Sequence, residues 1–149
     1  MKKIAIIIVA LLALAMPARA QLTIGEKSEG PKQLAVLQQM WAWLYQLDGR
    51  IYFVCKTDNR FDPWMYLDLG TTKDEAAQTV RSLIGALEEA KRGDEIRVQS
   101  QGETFLLVYE EILGAKAWMI YPVQTEMVYA GSGPMNMSAL RKAVKYLEN

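Results

Sequence analysis

The chain has 149 residues, carries 17 basic and 17 acidic side chains, and contains one cysteine and no histidine. This length suits one domain with an ordinary buried core. The absence of histidine excludes Ser-His-Asp and Cys-His catalysis, imidazole general bases and the most common zinc ligand.

The first twenty residues have the three parts of a secretory signal peptide. Lys2-Lys3 supplies the positive region, Ile4–Met16 is an apolar run, and Pro17–Ala20 ends in the A-x-A pattern of a cleavage site. A membrane anchor is the alternative, but the uncharged stretch is shorter than the roughly 20 residues that span a bilayer. We therefore predict a cleaved signal peptide over residues 1–20, a flexible leader over residues 21–30, and export to the periplasm or the extracellular space. After cleavage we expect no stable membrane anchor.

The charge of the exported chain bears on its partners. Removing the three basic residues of the signal peptide leaves 14 basic against 17 acidic residues. A mildly acidic protein is a poor nucleic-acid binder, because that affinity comes mostly from basic contacts to phosphate. We therefore expect no nucleic-acid partner.

The single cysteine cannot form a disulfide within the chain, although export permits disulfides. In a strand, Cys55 shares a face with Ile51 and Phe53. This placement favours a small buried hydrophobic residue over a reactive thiol or an intermolecular bridge.

The segment Pro31–Gln46 carries two competing patterns. Apolar residues recur at helical spacing from Leu34 to Leu44. Alternating residues from Trp41 to Leu47 instead fit a strand, and they precede Asp48-Gly49, a strong hairpin turn signal. We predict a helix over Pro31–Gln46. If the period-2 pattern determines the structure instead, this segment is the first strand of a hairpin.

The middle of the chain predicts two strands followed by a helix. Arg50–Cys55 and Trp64–Leu69 are rich in β-formers and are separated by a polar loop. Thr72–Glu75 fits a capping box, and Ala76–Leu87 presents one apolar helical face. Gly93 is the expected C-terminal cap of this helix.

The second half is mostly strands and ends in a helix. The predicted strands are Ile96–Gln99, Thr104–Tyr109, Lys116–Tyr121 and Glu126–Ala130. A final helix over Met137–Leu147 would be capped by Asn136 or Ser138. The order of elements predicts a single α+β domain over residues 31–149, a mostly antiparallel sheet with about three helices packed on it.

No motif identifies a reaction, a metal or a cofactor. Ser138 and Lys142 have the spacing of a catalytic dyad, but a helix-start residue and a solvated side chain explain them better. Asp58–Asp62 lacks the spacing of an EF-hand, and Gly131–Pro134 lacks a full phosphate-binding pattern and is more typical of a turn or hinge. The pair Met135 and Met137 is a weak copper signal. We expect no catalytic residue, no metal and no cofactor.

The aromatic residues are the most informative feature. Trp41, Trp43 and Trp64 lie near the uncertain helix and the proline loop. Buried, they would belong to the core; exposed, they would anchor an interface or pack against sugar rings. The leading hypothesis is a non-enzymatic exported domain that uses these residues to bind a protein partner or a second copy of itself. The alternative is a carrier of a glycan or small apolar ligand with an aromatic-lined cleft, and a histidine-free hydrolase is the third hypothesis.

Overall fold

The computed structural model describes residues 30–61, 63–124, 127–128 and 130–149, with backbone only for residues 127 and 128. The predicted signal peptide and residues 21–29 of the predicted leader lie outside the described residues. No helix in the described ranges is long and apolar enough to span a bilayer.

Two antiparallel sheets and two helices make up the described part of the chain. Their elements are β1 Lys32–Gln38, β2 Ala42–Leu47, β3 Arg50–Lys56, β4 Trp64–Gly70, α1 Lys73–Glu89, β5 Glu95–Ser100, β6 Glu103–Ile112, β7 Ala115–Gln124, β8 Met127–Val128, β9 Met135–Asn136 and α2 Met137–Leu147. The first sheet has the order β1-β2-β3-β4, and the second has the order β5-β6-β7-β8, with β9 also paired to β7. The α+β class is confirmed, with two helices where about three were predicted.

The predicted helix over Pro31–Gln46 is wrong, because this segment forms the β1–β2 hairpin. Register shifts in β1 indicate bulges, and Leu34 and Leu37 both pack toward the core although they are three residues apart. That spacing imitates a helix. The hairpin alternative is correct for β2, since Asp48 and Gly49 both adopt the positive φ of a type I′ turn before β3.

Both remaining helices begin where local capping predicts. At α1 the Thr72 hydroxyl accepts a hydrogen bond from Glu75 N at 3.2 Å, and the Glu75 carboxylate accepts one from Thr72 N at 3.4 Å. At α2 the Asn136 side chain accepts a hydrogen bond from Ala139 N at 3.2 Å. The predicted cap at Gly93 is wrong, because α1 ends at Glu89 and Gly93 instead lies in the turn that leads to β5.

One core joins the inner faces of the two sheets to the two helices. The helices pack against each other, α1 lies on β4, and α2 lies on β1. Phe53 of the first sheet contacts Trp118 of the second, with ring centroids 5.7 Å apart. Cys55 belongs to this core, as predicted, and burial raises the pKa of its thiol to about 12.

The loop at residues 131–134 is a buried connection between the sheets. Ser132 N donates to the Ile120 carbonyl at 2.7 Å, and the Ser132 hydroxyl accepts from Ile120 N at 2.9 Å. Asp58 N donates to the Gly131 carbonyl at 3.1 Å, which ties the loop to the segment after β3. These bonds hold the segment in place, which agrees with the turn and not with the hinge of the two predicted alternatives.

Candidate functional site

The outer face of the first sheet is turned away from the helices. It carries most of the aromatic residues of the described N-terminal half of the chain. Side chains alternate along a strand, so the residues between the core positions of β1–β4 share this second face. We call this surface the aromatic face. It consists of Val36, Trp43, Tyr45, Tyr52, Val54, Trp64 and Tyr66.

One continuous apolar row crosses all the strands of this sheet. Val36 lies opposite Trp43, Trp43 opposite Val54, and Val54 opposite Tyr66. Val54 is buried although it lies outside the main core cluster. Because Val54 faces away from the core, its burial shows that the neighbouring rings cover the centre of the face.

Edge-on contacts hold the exposed rings in place. The Trp43 and Trp64 centroids lie 5.3 Å apart with planes at 66°, and the Tyr52 and Tyr66 centroids lie 6.1 Å apart with planes at 87°. Both arrangements match the edge-to-face geometry that aromatic quadrupoles favour. Trp64 is nevertheless 42% exposed and Tyr66 is 46% exposed. The face therefore offers large apolar area on side chains that are already positioned.

The three tryptophans singled out from the sequence divide between two places. Trp43 and Trp64 meet on the aromatic face. Trp41 precedes β2 in the turn, and its ring lies against Gly133, where an added Cβ would come within 2.4 Å of it. Trp41 therefore packs against the loop at residues 131–134 and does not lie beside Trp43 and Trp64.

Sequence reasoning did not select Val36 and Tyr66 as site residues. The alternation Trp64-Met65-Tyr66-Leu67 contains the signal for Tyr66, since it places Tyr66 on the same strand face as Trp64. Val36 carries no such signal, because the irregular register of β1 decides which way it points.

Charged residues border the aromatic face at one end. Arg50 donates to the Asp68 carboxylate through both Nε and Nη2, the latter at 3.2 Å, and Asp68 also accepts from Gly70 N at 2.9 Å. The hydrogen bond to Asp68 raises the pKa of the Arg50 guanidinium. An apolar centre with a charged border is the usual composition of a protein interface.

A cleft of about 630 Å³ adjoins the aromatic face at the start of β4. Its described lining comes from residues 57, 59, 64–66, 102–105, 122–124 and 130, so it lies between β4, the β5–β6 turn and the end of β7. Trp64 and Tyr66 belong to both the cleft and the aromatic face.

Two carboxylates facing each other across a cleft would favour the hydrolase hypothesis. Glu103 is the single carboxylate among the described lining residues, and the hypothesis stays a prediction. The described part of the chain also holds no cluster of three or more metal-ligating His, Cys, Asp or Glu side chains.

Comparison of the chain with protein-family models, with curated proteins and with solved structures gives no match. The chemistry of the two surfaces just described is therefore the basis for assigning a function.

Proposed function

We propose that this protein is an exported, non-enzymatic domain that binds a partner protein through the aromatic face. The observation that supports this most directly is the apolar row from Val36 to Tyr66, which crosses the whole first sheet on the side that the helices leave open.

The composition of the face fits a protein interface. Tryptophan, tyrosine and arginine are the residue types that most often dominate binding energy, and Trp64, Tyr66 and Arg50 lie on the face or at its border. Burying one large aromatic side chain contributes roughly 1.5–3 kcal/mol. The edge-on ring contacts lower the entropy cost of binding, because the rings are already ordered before the partner arrives.

The expected partner presents a broad apolar patch with polar groups at its edge. A sheet face is shallow and wide. It therefore fits the surface of another folded domain better than a deep pocket does. The partner can also be a second copy of this chain, in which case both copies use the same face.

The test is site-specific photo-crosslinking of the full chain in its native host. A photoreactive phenylalanine analogue replaces Tyr45, which lies on the aromatic face and outside the cleft, or Gln78, which is exposed on α1. We expect a discrete covalent adduct from position 45 and none from position 78. An adduct of twice the chain mass identifies a second copy as the partner.

Two matched variants decide whether the adduct reports the face. Val36→Asp places a charge on the apolar row, and Gln78→Asp makes the same change of charge on the helix layer. We expect V36D to abolish the adduct and Q78D to preserve it. The proposal is overturned if position 45 gives no adduct, or if the adduct survives V36D in a protein that melts normally.

A further inference from the structure

The cleft beside the aromatic face has the size of a small-molecule site. Its volume of about 630 Å³ falls within the range of roughly 300–1,000 Å³ typical of ligand pockets. It is a depression between the two sheets, whereas the aromatic face extends over one sheet alone. A ligand in the cleft would therefore contact both halves of the fold.

Two aromatic residues are among those that line the cleft. Trp64 and Tyr66 are both partly exposed, and their rings make edge-on contacts with Trp43 and Tyr52. The carbon-bearing face of a pyranose ring is apolar, and its C–H groups match the negative face of an aromatic ring. Aromatic side chains that are already ordered in the free protein suit this kind of stacking, since they lose little side-chain entropy when the ligand binds.

The other lining residues supply hydrogen-bonding groups of several kinds. Thr104 offers a hydroxyl, Asn59 and Gln124 offer amides, and Glu103 offers a carboxylate. Each sugar hydroxyl both donates and accepts, so a mixed lining of donors and acceptors matches it. A wholly apolar ligand would bury these polar groups without partners, which is costly.

The charge of the lining narrows the ligand class further. The described lining residues include the carboxylate of Glu103 and no lysine or arginine. An anionic ligand would therefore meet the like charge of Glu103, while Lys56, opposite Trp64 in the β3–β4 register, lies beside the cleft and not among its described lining residues. We propose that the cleft between β4, the β5–β6 turn and the end of β7 binds a short, uncharged saccharide, which stacks on Trp64 and hydrogen-bonds to Thr104 and Gln124.

The test is a titration of the purified protein with neutral oligosaccharides of two to six units. The panel contains cello-, malto-, xylo-, manno- and chito-oligosaccharides, with choline as a cationic probe and a sulfated disaccharide as an anionic one. Calorimetry measures affinity, and amide chemical-shift mapping locates the site. We expect at least one neutral saccharide to bind, with shifts concentrated at Trp64, Gly102 and Gln124.

Three variants assign the binding to the cleft. Trp64→Ala should weaken saccharide binding by about tenfold or more, because it removes the stacking surface. Gln124→Ala should weaken it by about fivefold, the usual effect of losing one hydrogen bond. Tyr45→Ala is the matched control, since Tyr45 is an aromatic residue of the same sheet face that does not line the cleft, and it should leave the affinity unchanged.

The proposal is overturned if no neutral saccharide binds with a dissociation constant below about 10 mM, or if W64A binds as tightly as the unmodified protein. Preferential binding of choline or of the sulfated disaccharide also overturns it, because the lining would then select a charged ligand. Failure of this proposal can be distinguished from failure of the partner-binding proposal, because the latter is tested at Val36 and Tyr45, which do not line the cleft.

Discussion

Replacing Gly131 with alanine should destabilise the protein because there is no room for a methyl group. An added Cβ would lie 2.4 Å from Cδ1 of Tyr121 and 2.7 Å from the carbonyl oxygen of Ile120. The φ of Gly131 is not positive, so limited space, and not backbone conformation, requires glycine at this position. The Tyr121 ring can rotate away, but the Ile120 carbonyl is fixed by its hydrogen bond from Ser132 N.

Forcing extra atoms into a packed site typically costs about 1–3 kcal/mol, and a backbone contact places Gly131→Ala in the upper part of that range, at about 2–3 kcal/mol. At about 4 °C per kcal/mol for a domain of this size, the melting temperature should fall by about 8–12 °C. Urea unfolding should show a lower midpoint with an unchanged slope, since the surface exposed on unfolding stays the same.

Gly85→Ala is the control, because it adds the same methyl group at a position where no neighbouring atom would clash with it. Gly85 is exposed in α1, and an added Cβ there meets nothing within 4 Å. Alanine favours a helix interior over glycine, so this variant should be more stable by about 0.5–1 kcal/mol. The two variants should therefore shift the midpoint in opposite directions. If G131A is as stable as the unmodified protein, the loop is loosely packed and the hinge interpretation is preferred.

Three single side chains outside the two proposed surfaces each give a further test. Cys55 is buried and the pKa of its thiol is raised to about 12, so in the folded protein it should not react with Ellman's reagent at pH 8. The urea-unfolded chain should react fully in the same time, and equal rates for the two samples would contradict the burial of Cys55. Hydrogen bonds from the backbone and side chain of Thr71 lower the pKa of Glu75, so its contribution to stability is complete above its unfolded pKa of about 4.3 and is lost as the pH falls through the lower folded value. Glu75→Gln should therefore flatten the acid side of a stability–pH profile, and an unchanged profile would count against this assignment. Ser132→Ala should cost about 1–3 kcal/mol in urea unfolding, because Ile120 N loses its acceptor in a buried place; a neutral effect would indicate that another group replaces the hydroxyl.

Local signals in the sequence predict both helices but not the first hairpin. The capping box at Thr72 and the cap at Asn136 each act through a few neighbouring residues, which sequence reasoning can read. The β1–β2 turn has no glycine or asparagine, and Met40 adopts a φ of 65° there, so nothing local indicates a turn. The packing of Leu37 against the core, which is a long-range interaction, decides the outcome.

The site shows the same division between local and long-range information. Alternation along β4 places Trp64 and Tyr66 on one face, but it does not say which face the helices cover. That depends on α1 packing on β4 and α2 packing on β1, contacts between segments far apart in sequence. The prediction that tryptophans form the binding surface stays a prediction. The structure brings Trp43 and Trp64 together and places Trp41 in the β1–β2 turn against Gly133.

The two proposed surfaces share Trp64 and Tyr66, so a substitution at either residue affects both and cannot distinguish them. Val36 belongs to the aromatic face alone, and Gln124 belongs to the cleft alone. Because neither side chain contributes to the main core, variants at these two positions leave most of the packing energy in place. Loss of the crosslinked partner in V36D with retained saccharide affinity, together with the reverse result in Q124A, would establish two adjoining sites. If both activities fail together in either variant, the face and the cleft form a single site, and a partner that carries a saccharide becomes the simplest ligand.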